Sequence, residues 1–359
     1  MMDAFFEKGV YESAKEEKQT LLQERLGQLT RYHYAHCPEY QGMLDALGVS
    51  PEKDLPCDRL PFLPVSLFKK MKLASVPDDQ IVRVLTSSGT SGQAVSRICL
   101  DGETARLQQQ ALAGIVSSFI GTKRLPMIIL DCPSVLRDRE KISARGAGIL
   151  GFSVFGRQRI FALDDDMKLD LEGVRRFLKE HAGERILLFG FTFMIWQYFY
   201  RELQKLPPMT LDLSEGILIH GGGWKKLQSE SVSPQAFRQG LAQACGIRQV
   251  HDYYGMAEQT GAICMECECG HLHTSIFSDV IIRDPQDLTV CGPGKRGIIQ
   301  VLSVLPGSYP GHSLLTEDEG TLLGEDDCPC GRKGKYFIVH GRIKHAEVRG
   351  CSDTYGDGV

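Results

Sequence analysis

Two short cysteine turns carry the clearest coordination chemistry in this sequence, Cys267-Glu-Cys269-Gly and Cys328-Pro-Cys330-Gly. Cys264, His271 and His273 lie beside the first turn. Thiolate and imidazole donors drawn from two turns can build the tetrahedral cage of a structural zinc site. Cys267, Cys269, Cys328 and Cys330 are the expected ligands, with His273 as a replacement for Cys269. The Cys-x-Cys gap is tighter than the usual two residues, and reduced thiols packed in a β region are the alternative. A second chemistry is offered by Thr86-Ser-Ser-Gly-Thr-Ser-Gly92. Its glycines let backbone N–H groups converge on an anion, and its hydroxyls add donors. A plain strand-to-helix loop has the same composition. No Gly-Lys-Ser/Thr follows at the required spacing, which excludes a P-loop NTPase. Gly146-Ala-Gly148-Ile-Leu-Gly151 fits the dinucleotide fingerprint formally, with Asp164–Asp166 beyond it. That fingerprint must follow a strand, whereas the preceding RDREKISAR is charged and helix-like. A helix packed closely through its glycines is the preferred reading.

Elements of both periods are needed to position these groups. Leu21, Leu22, Leu26 and Leu29 recur at helical spacing within residues 3–47. Ile81–Thr86 alternates like a strand and runs into the Ser/Thr/Gly turn. Apolar runs at Pro126–Cys132, Ile186–Phe191, Leu213–Ile219 and Arg248–Tyr254 read as strands separated by helical segments, one of them Thr104–Ile120. Strands alternating with helices predict doubly wound parallel sheets. Glycine-rich turns follow two of these strands, at His220-Gly-Gly-Gly-Trp-Lys225 and Tyr253-Tyr-Gly-Met-Ala-Glu258. The carboxyl ends of such strands are where open α/β sheets bind ligands. After Ile263 the texture changes to dense cysteine and glycine with short strands such as DVIIRD and GIIQVLSVL. The expected organisation is a helical region 1–80, an α/β core 81–262 carrying the ligand-binding loops, a β-rich subdomain 263–340 holding the zinc site, and a tail 341–359.

The chain has 359 residues, a net charge of −4 and a pI near 6.2, which argues against a general nucleic-acid or anionic-membrane binder. The N-terminus lacks a basic start and an apolar core, so no secretory signal is expected. No apolar stretch is long enough to span a membrane. The reducing cytoplasm is the expected compartment, where cysteines serve as thiols, ligands or nucleophiles.

In their order, these loops resemble the adenylate-forming superfamily of acyl-CoA synthetases, luciferases and peptide-synthetase adenylation domains. The Ser/Thr/Gly run is similar to its phosphate loop, the glycine turn after His220 to its adenine border, and Tyr253–Glu258 to its aromatic-Gly-x-Thr-Glu motif. Thr316-Glu-Asp318 is similar to the Thr-Gly-Asp segment, and Gly341-Arg342 to the later ribose-contacting arginine. Within the superfamily, FLPVSLFK, SSGTSG with SRI, SARGAGILG, GGGWK, YYGMAE, LLTEDEG and RGCS resemble the acyl-protein synthetase (LuxE) family, and phenylacetate-CoA ligases more distantly.

The resemblance implies a large adenylate-forming α/β domain and a set of roles. Ser87, Ser88, Gly89, Thr90, Ser91 and Gly92 would surround the ATP phosphates, and Gly222 and Gly223 would border the adenine. Tyr254, followed by Gly255, would stack on the base. Glu258 would hold Mg²⁺, a hard cation suited to carboxylate oxygen. Asp318 would accept the ribose hydroxyls, and Arg342 would face ribose or phosphate. Two positions depart from the pattern. Ala257 replaces the threonine before the glutamate, and Arg97 is the nearest cation after the phosphate loop, which shifts work to donors such as Lys225.

Typical members continue past the Arg-Gly step into a mobile C-terminal domain, while this chain stops at Val359, as the acyl-protein synthetases do. In those proteins a cysteine near the C-terminus accepts the acyl group, and Cys351 is the match. Its thiolate would attack the acyl-adenylate, AMP would leave, and a thioester would remain. An idle thiol is the alternative. Zinc agrees with a similar cluster in ligases of the phenylacetate type. The expected function is thus ATP-dependent activation of a carboxylic acid, best suited to a fatty acid, and transfer through Cys351 to a partner such as an acyl reductase. The competing readings are a ligase that passes the acyl group to CoA or a carrier protein, a silent zinc-stabilised scaffold, and a dehydrogenase using Gly146–Gly151. The sequence names neither the acid nor an oligomeric state.

Overall fold

The computed structural model describes residues 2–51, 55–86, 95–137, 144–224 and 229–343. In chain order its strands are β1 (Leu63–Pro64), β2 (Arg83–Thr86), β3 (Arg97–Leu100), β4 (Leu125–Ile129), β5 (Gly156–Phe161), β6 (Ile186–Phe191), β7 (Gly216–Gly221), β8 (Gln249–Tyr254), β9 (Cys264–Glu266), β10 (Leu272–His273), β11 (Ser278–Arg283), β12 (Arg296–Ser303), β13 (Ser313–Glu325) and β14 (Lys335–Arg342). By their contacts the described residues form two compact units, each with its own apolar core.

One unit comprises residues 119–137, 144–224 and 229–253. Its strands run parallel in the order β8-β7-β6-β4-β5. Every residue of β6 and β7 is buried, which explains why ILLFGF and GILIHG read as apolar runs rather than alternations. Connecting helices carry local stop and start signals. Asp170 caps Leu171–Glu180 by accepting from the Gly173 amide. Ser233 caps Pro234–Cys245, which ends at Gly246 with φ 82°. The strand expected at Leu213–Ile219 occupies Gly216–Gly221, because residues 213–216 close a turn by a Gly216 amide bond to the Leu213 carbonyl. Gly146, Gly148 and Gly151 lie inside the helix Ala144–Phe152, not in a loop after a strand. A Cβ on Gly148 would stand 3.0 Å from Cζ of Phe191, so this glycine permits close helix packing.

The other unit comprises residues 2–51, 55–86, 95–118 and 254–343. Its antiparallel sheet runs β11-β12-β13-β14-β10-β9, and β1 pairs in parallel with β13. The helix Lys15–His36 buries Leu22, Leu26 and Leu29 on one stripe. Helical residues before 80 therefore group by contact with the β-rich strands that follow 254. β2 and β3 form an antiparallel pair, Arg83 opposite Leu100 and Thr86 opposite Arg97, on either side of the Ser/Thr/Gly run. Buried polar groups tie the helix to the sheet. Lys18 donates to the Thr274 hydroxyl at 2.9 Å, and Lys335 meets Asp279 at 2.7 Å. His33 bonds the Ser75 hydroxyl at 2.7 Å and stacks on His312 with ring centres 5.1 Å apart. Among the described residues no helix is long and apolar enough to cross a membrane.

Candidate active site

β8 ends at Tyr254, and the chain then turns through Gly255 and Met256 into a short 3-10 turn, Ala257–Gln259. That turn is pinned by two bonds. The Tyr309 hydroxyl donates to the Glu258 carbonyl at 2.8 Å, and the Gln259 side-chain Nε2 donates to the Gly311 carbonyl at 2.8 Å. Glu258 itself is 5% exposed. Burial raises its pKa, and the Ser96 hydroxyl at its side pulls it back down. Glu317 and Arg342 also act on it electrostatically, so the turn, β13 and β14 share one polar neighbourhood.

Tyr254, Asp318 and Arg342 converge within it. The Tyr254 hydroxyl donates to Oδ2 of Asp318 at 2.8 Å. Arg342 Nε lies 3.9 Å from Oδ1 of the same carboxylate, because β13 and β14 set Asp318 and Arg342 directly opposite. Burial and the neighbouring Asp318 hold the Tyr254 phenol well above its usual range, so it stays a donor. Burial raises Asp318, and the phenol and guanidinium lower it. The Tyr254 ring packs edge-on against Phe337 at 6.0 Å. An aromatic face can stack on a flat ring system, an oriented carboxylate can accept from hydroxyls, a guanidinium can meet an anion, and a second, buried carboxylate can ligate a hard divalent cation. Sequence reasoning passed over Ser96 and Glu317. Both sit inside strings it had singled out, SRI and Thr-Glu-Asp, so the signal was available.

In the parallel unit, the glycine turn follows the carboxyl end of β7. Gly222 takes φ 77°, a left-handed conformation that favours glycine. A Cβ on Gly221 would meet the Tyr253 ring at 2.5 Å. His220, just before the turn, is buried, and its Nδ1 lies 2.9 Å from the Thr192 hydroxyl, which donates to the Gly221 carbonyl at 3.2 Å. Burial pushes His220 down to about 3, so it is a neutral packed imidazole. Trp196 stacks on Tyr200 at 4.3 Å and on Phe237 at 5.8 Å, within a π-helical turn over the core. Gly223 follows Gly222 in the turn. Ser87, Ser88, Gly89, Thr90, Ser91, Gly92, Lys225 and Cys351 lie outside the described residues.

The cysteine turns meet in the antiparallel unit. Side-chain donors of Cys267, His273, Cys328 and Cys330 all lie within 4.8 Å of one another. Each turn is closed the same way, by Gly270 donating to the Cys267 carbonyl at 2.9 Å and Gly331 to the Cys328 carbonyl at 3.0 Å. Both glycines have positive φ, 81° and 83°. Cys269 is exposed and outside this group, whereas the pleat of β10 directs His273 into it. The donor set fits a tetrahedral zinc ion. Thiolates around zinc stand about 3.8 Å apart, and Cys267 and Cys328 are 3.9 Å apart. Nε2 of His273 is 3.4 Å from Cys330, and its buried Nδ1 has no protein partner. Burial lowers His273 to about 4, leaving the neutral imidazole that ligation needs. Tyr336 stacks on His271 at 5.0 Å and on His273 at 5.6 Å, fixing both rings.

Comparison with known proteins agrees with this arrangement. The sequence pattern of the family described as acyl-protein synthetase, LuxE, matches residues 1–358. The long-chain-fatty-acid–luciferin-component ligase of Vibrio harveyi is 25% identical over 340 residues, 90% of this chain and 84% of that one. Its counterpart in Aliivibrio fischeri is 25% identical over 356 residues, 95% of this chain and 88% of that one. Among solved structures, an open conformation of 2-hydroxyisobutyryl-CoA ligase, in complex with its acyl-adenylate and CoA, superposes with a TM-score of 0.69. It is 17% identical and covers 94% of this chain and 77% of that one, a likeness of fold. The fold is thus the α/β architecture of adenylate-forming ligases.

Proposed function

This chain belongs to the acyl-protein synthetase (LuxE) family, and from that premise we propose that it activates a carboxylic acid with ATP as an acyl-adenylate. The observation that carries the reading is the Tyr254–Asp318–Arg342 set beside Glu258. Tyr254 offers the face for adenine, Asp318 receives the ribose hydroxyls, and Arg342 neutralises charge on the sugar-phosphate side. Glu258 is the carboxylate for Mg²⁺, with Ser96 and Glu317 next to it. The Ser87–Gly92 run and Lys225 supply the phosphate donors, and Gly222 and Gly223 border the base.

The acid is a fatty acid in this reading, which the names of the two Vibrio-type relatives support. The acyl group then passes to Cys351. Thiolate attack on the mixed anhydride forms the S–C bond, breaks the C–O bond to AMP and leaves a thioester for an acceptor protein. The cluster of Cys267, His273, Cys328 and Cys330 binds zinc as a brace between the turn after β9 and the turn before β14.

Acid-dependent exchange of pyrophosphate into ATP, measured across acids from acetate to long fatty chains and aryl acids, tests the activation step. Exchange with no acid, in folded protein supplied with Mg²⁺, would refute it. Labelled acid retained on the denatured wild type but lost from Cys351→Ala tests the transfer step. An equal yield from both proteins would assign the acyl group elsewhere.

A further inference from the structure

The zinc reading concerns what the four-residue cluster holds, and its geometry also bears on what the cluster does when challenged by an oxidant. Three of its four donors are thiols, brought together from two turns that are 61 residues apart. They differ in access. Cys267 is fully buried, Cys328 is 4% exposed, and Cys330 is half-buried and borders solvent. Sulfur atoms already within 4.8 Å of one another have less than 3 Å to move to reach the disulfide length of about 2.05 Å. The partner of the accessible thiol lies across the turns in the dry interior, where no competing solute reaches it. Bulk thiols elsewhere in the unit, such as Cys37, Cys264 and Cys291, are buried, and none of them belongs to this group.

We propose that this cluster is a peroxide-sensitive modification site, in which oxidation at Cys330 is resolved by Cys267 as a disulfide that joins the two turns and expels the metal. The oxidant is a hydroperoxide, and the inference rests on the zinc reading for the metal it releases. Cys330 sulfur attacks one peroxide oxygen, forming an S–O bond as the O–O bond breaks, and the leaving hydroxide takes a proton as water. Cys267 sulfur then attacks the sulfenic sulfur, forming the S–S bond as the S–O bond breaks and releasing a second water. Two electrons pass from the sulfurs to the peroxide. Zinc loses two of its four donors at once, and Cys328 with His273 does not make up a closed site. The disulfide spans the same two turns that the metal spanned, so the brace is exchanged and not simply lost.

The test uses the full chain, its zinc content measured first, treated with stoichiometric hydrogen peroxide. A chromophoric chelator follows zinc, and non-reducing peptide mass spectrometry maps the cross-link. The expected result is one zinc released per Cys267–Cys330 disulfide, with Cys269→Ser behaving as wild type and dithiothreitol plus zinc restoring the reduced site. Cys330→Ser should slow peroxide-driven zinc release at least tenfold, and Cys267→Ser should leave a sulfenic acid that a dimedone probe captures. Zinc retained after Cys330 is oxidised, a cross-link through Cys269, or release at an unchanged rate in Cys330→Ser would overturn the proposal. A chain that holds no zinc at the outset fails the metal reading alone, and the disulfide map then still decides the pairing.

Discussion

Tyr254 donates its phenolic hydrogen to Asp318 at 2.8 Å, so the aromatic assigned to the base also orients the carboxylate assigned to the sugar. The bond links the end of β8 to the middle of β13, 64 residues away. Arg342 approaches the other oxygen of the same carboxylate, which leaves Asp318 held from two sides at a defined angle. A hydrogen bond to a charged group contributes about 1.5–3 kcal/mol.

Removing that bond while keeping the ring is the sharpest probe of the arrangement. Tyr254→Phe should raise the KM for ATP about 10-fold in pyrophosphate exchange, the change that a loss near 1.4 kcal/mol produces. The fold should be unaffected, since the ring still packs on Phe337. Because the phenol also lowers the Asp318 pKa, its loss should move the acidic limb of the activity profile to higher pH. Identical kinetics in the two proteins would show that the bond does not position Asp318 for nucleotide.

Glu258 invites a test of a different kind. It is buried, and that burial raises its pKa. A divalent ion requires the carboxylate, so protons compete with the cation for Glu258. The Mg²⁺ concentration for half-maximal exchange should rise as pH falls towards the raised Glu258 pKa. Glu258→Gln should lower exchange by about 100-fold, in the range seen when a metal's supporting groups are lost. A pH-independent Mg²⁺ requirement would remove Glu258 from the metal site.

Much of this was legible in the sequence because it rests on local periodicity. Ile186–Phe191 is apolar without alternation since both faces of β6 are covered, and that signature survives in one dimension. Tyr254, Asp318 and Arg342 were legible from their order along the chain. Their mutual geometry was not, because the β13–β14 register that opposes Asp318 to Arg342 depends on shifts at Glu319/Gly320 and Leu322/Gly324. Cys267, Cys328 and Cys330 were legible as candidate ligands by residue type, and the structure brings the three together. The choice between Cys269 and His273 depends on which side chain the β10 pleat turns inward, a property of pairing with β9 and β14. The buried Lys18–Asp279–Lys335 group left no sequence signal at all. Each residue is an ordinary surface type, and only the packing of the first long helix on the sheet removes them from water.

Metal content distinguishes the two candidate ligands directly. Cys269→Ser should keep one zinc per chain, because Cys269 is exposed and outside the cluster. Cys328→Ser should fall well below that and melt at a lower temperature, since it breaks a closed four-donor set. Elemental analysis of protein purified without chelators, paired with thermal denaturation, reads both. Equal zinc in wild type and Cys328→Ser would exclude this cluster as the binding site.

The His33–His312 pair sets an acid limit on the unit that carries the site. Burial holds His312 down to about 3 and His33 well below the ordinary 6.5. Nε2 of His312 bonds the Thr30 hydroxyl at 3.0 Å, and Nε2 of His33 bonds the Pro306 carbonyl at 3.1 Å, so both rings are built into the helix–sheet contact as neutral groups. Lys18, buried in the same unit, is not part of this contact, and Arg25 acts on both rings by repelling their protonated forms. In the unfolded chain each imidazole takes up a proton near pH 6.5, while in the folded chain it does not until near pH 3 in the case of His312. The unfolded state then binds more protons, so stability is full above pH 6.5 and declines as pH falls through that window. His312 contributes a slope of about 1.4 kcal/mol per pH unit between those limits, and His33, also lowered by burial, acts in the same direction. Chemical denaturation at pH 7.5, 6.0 and 5.0 should show the loss, and His312→Asn should have a shallower slope than wild type even if it starts from a lower stability. A slope unchanged by that substitution would place the acid sensitivity elsewhere in the chain.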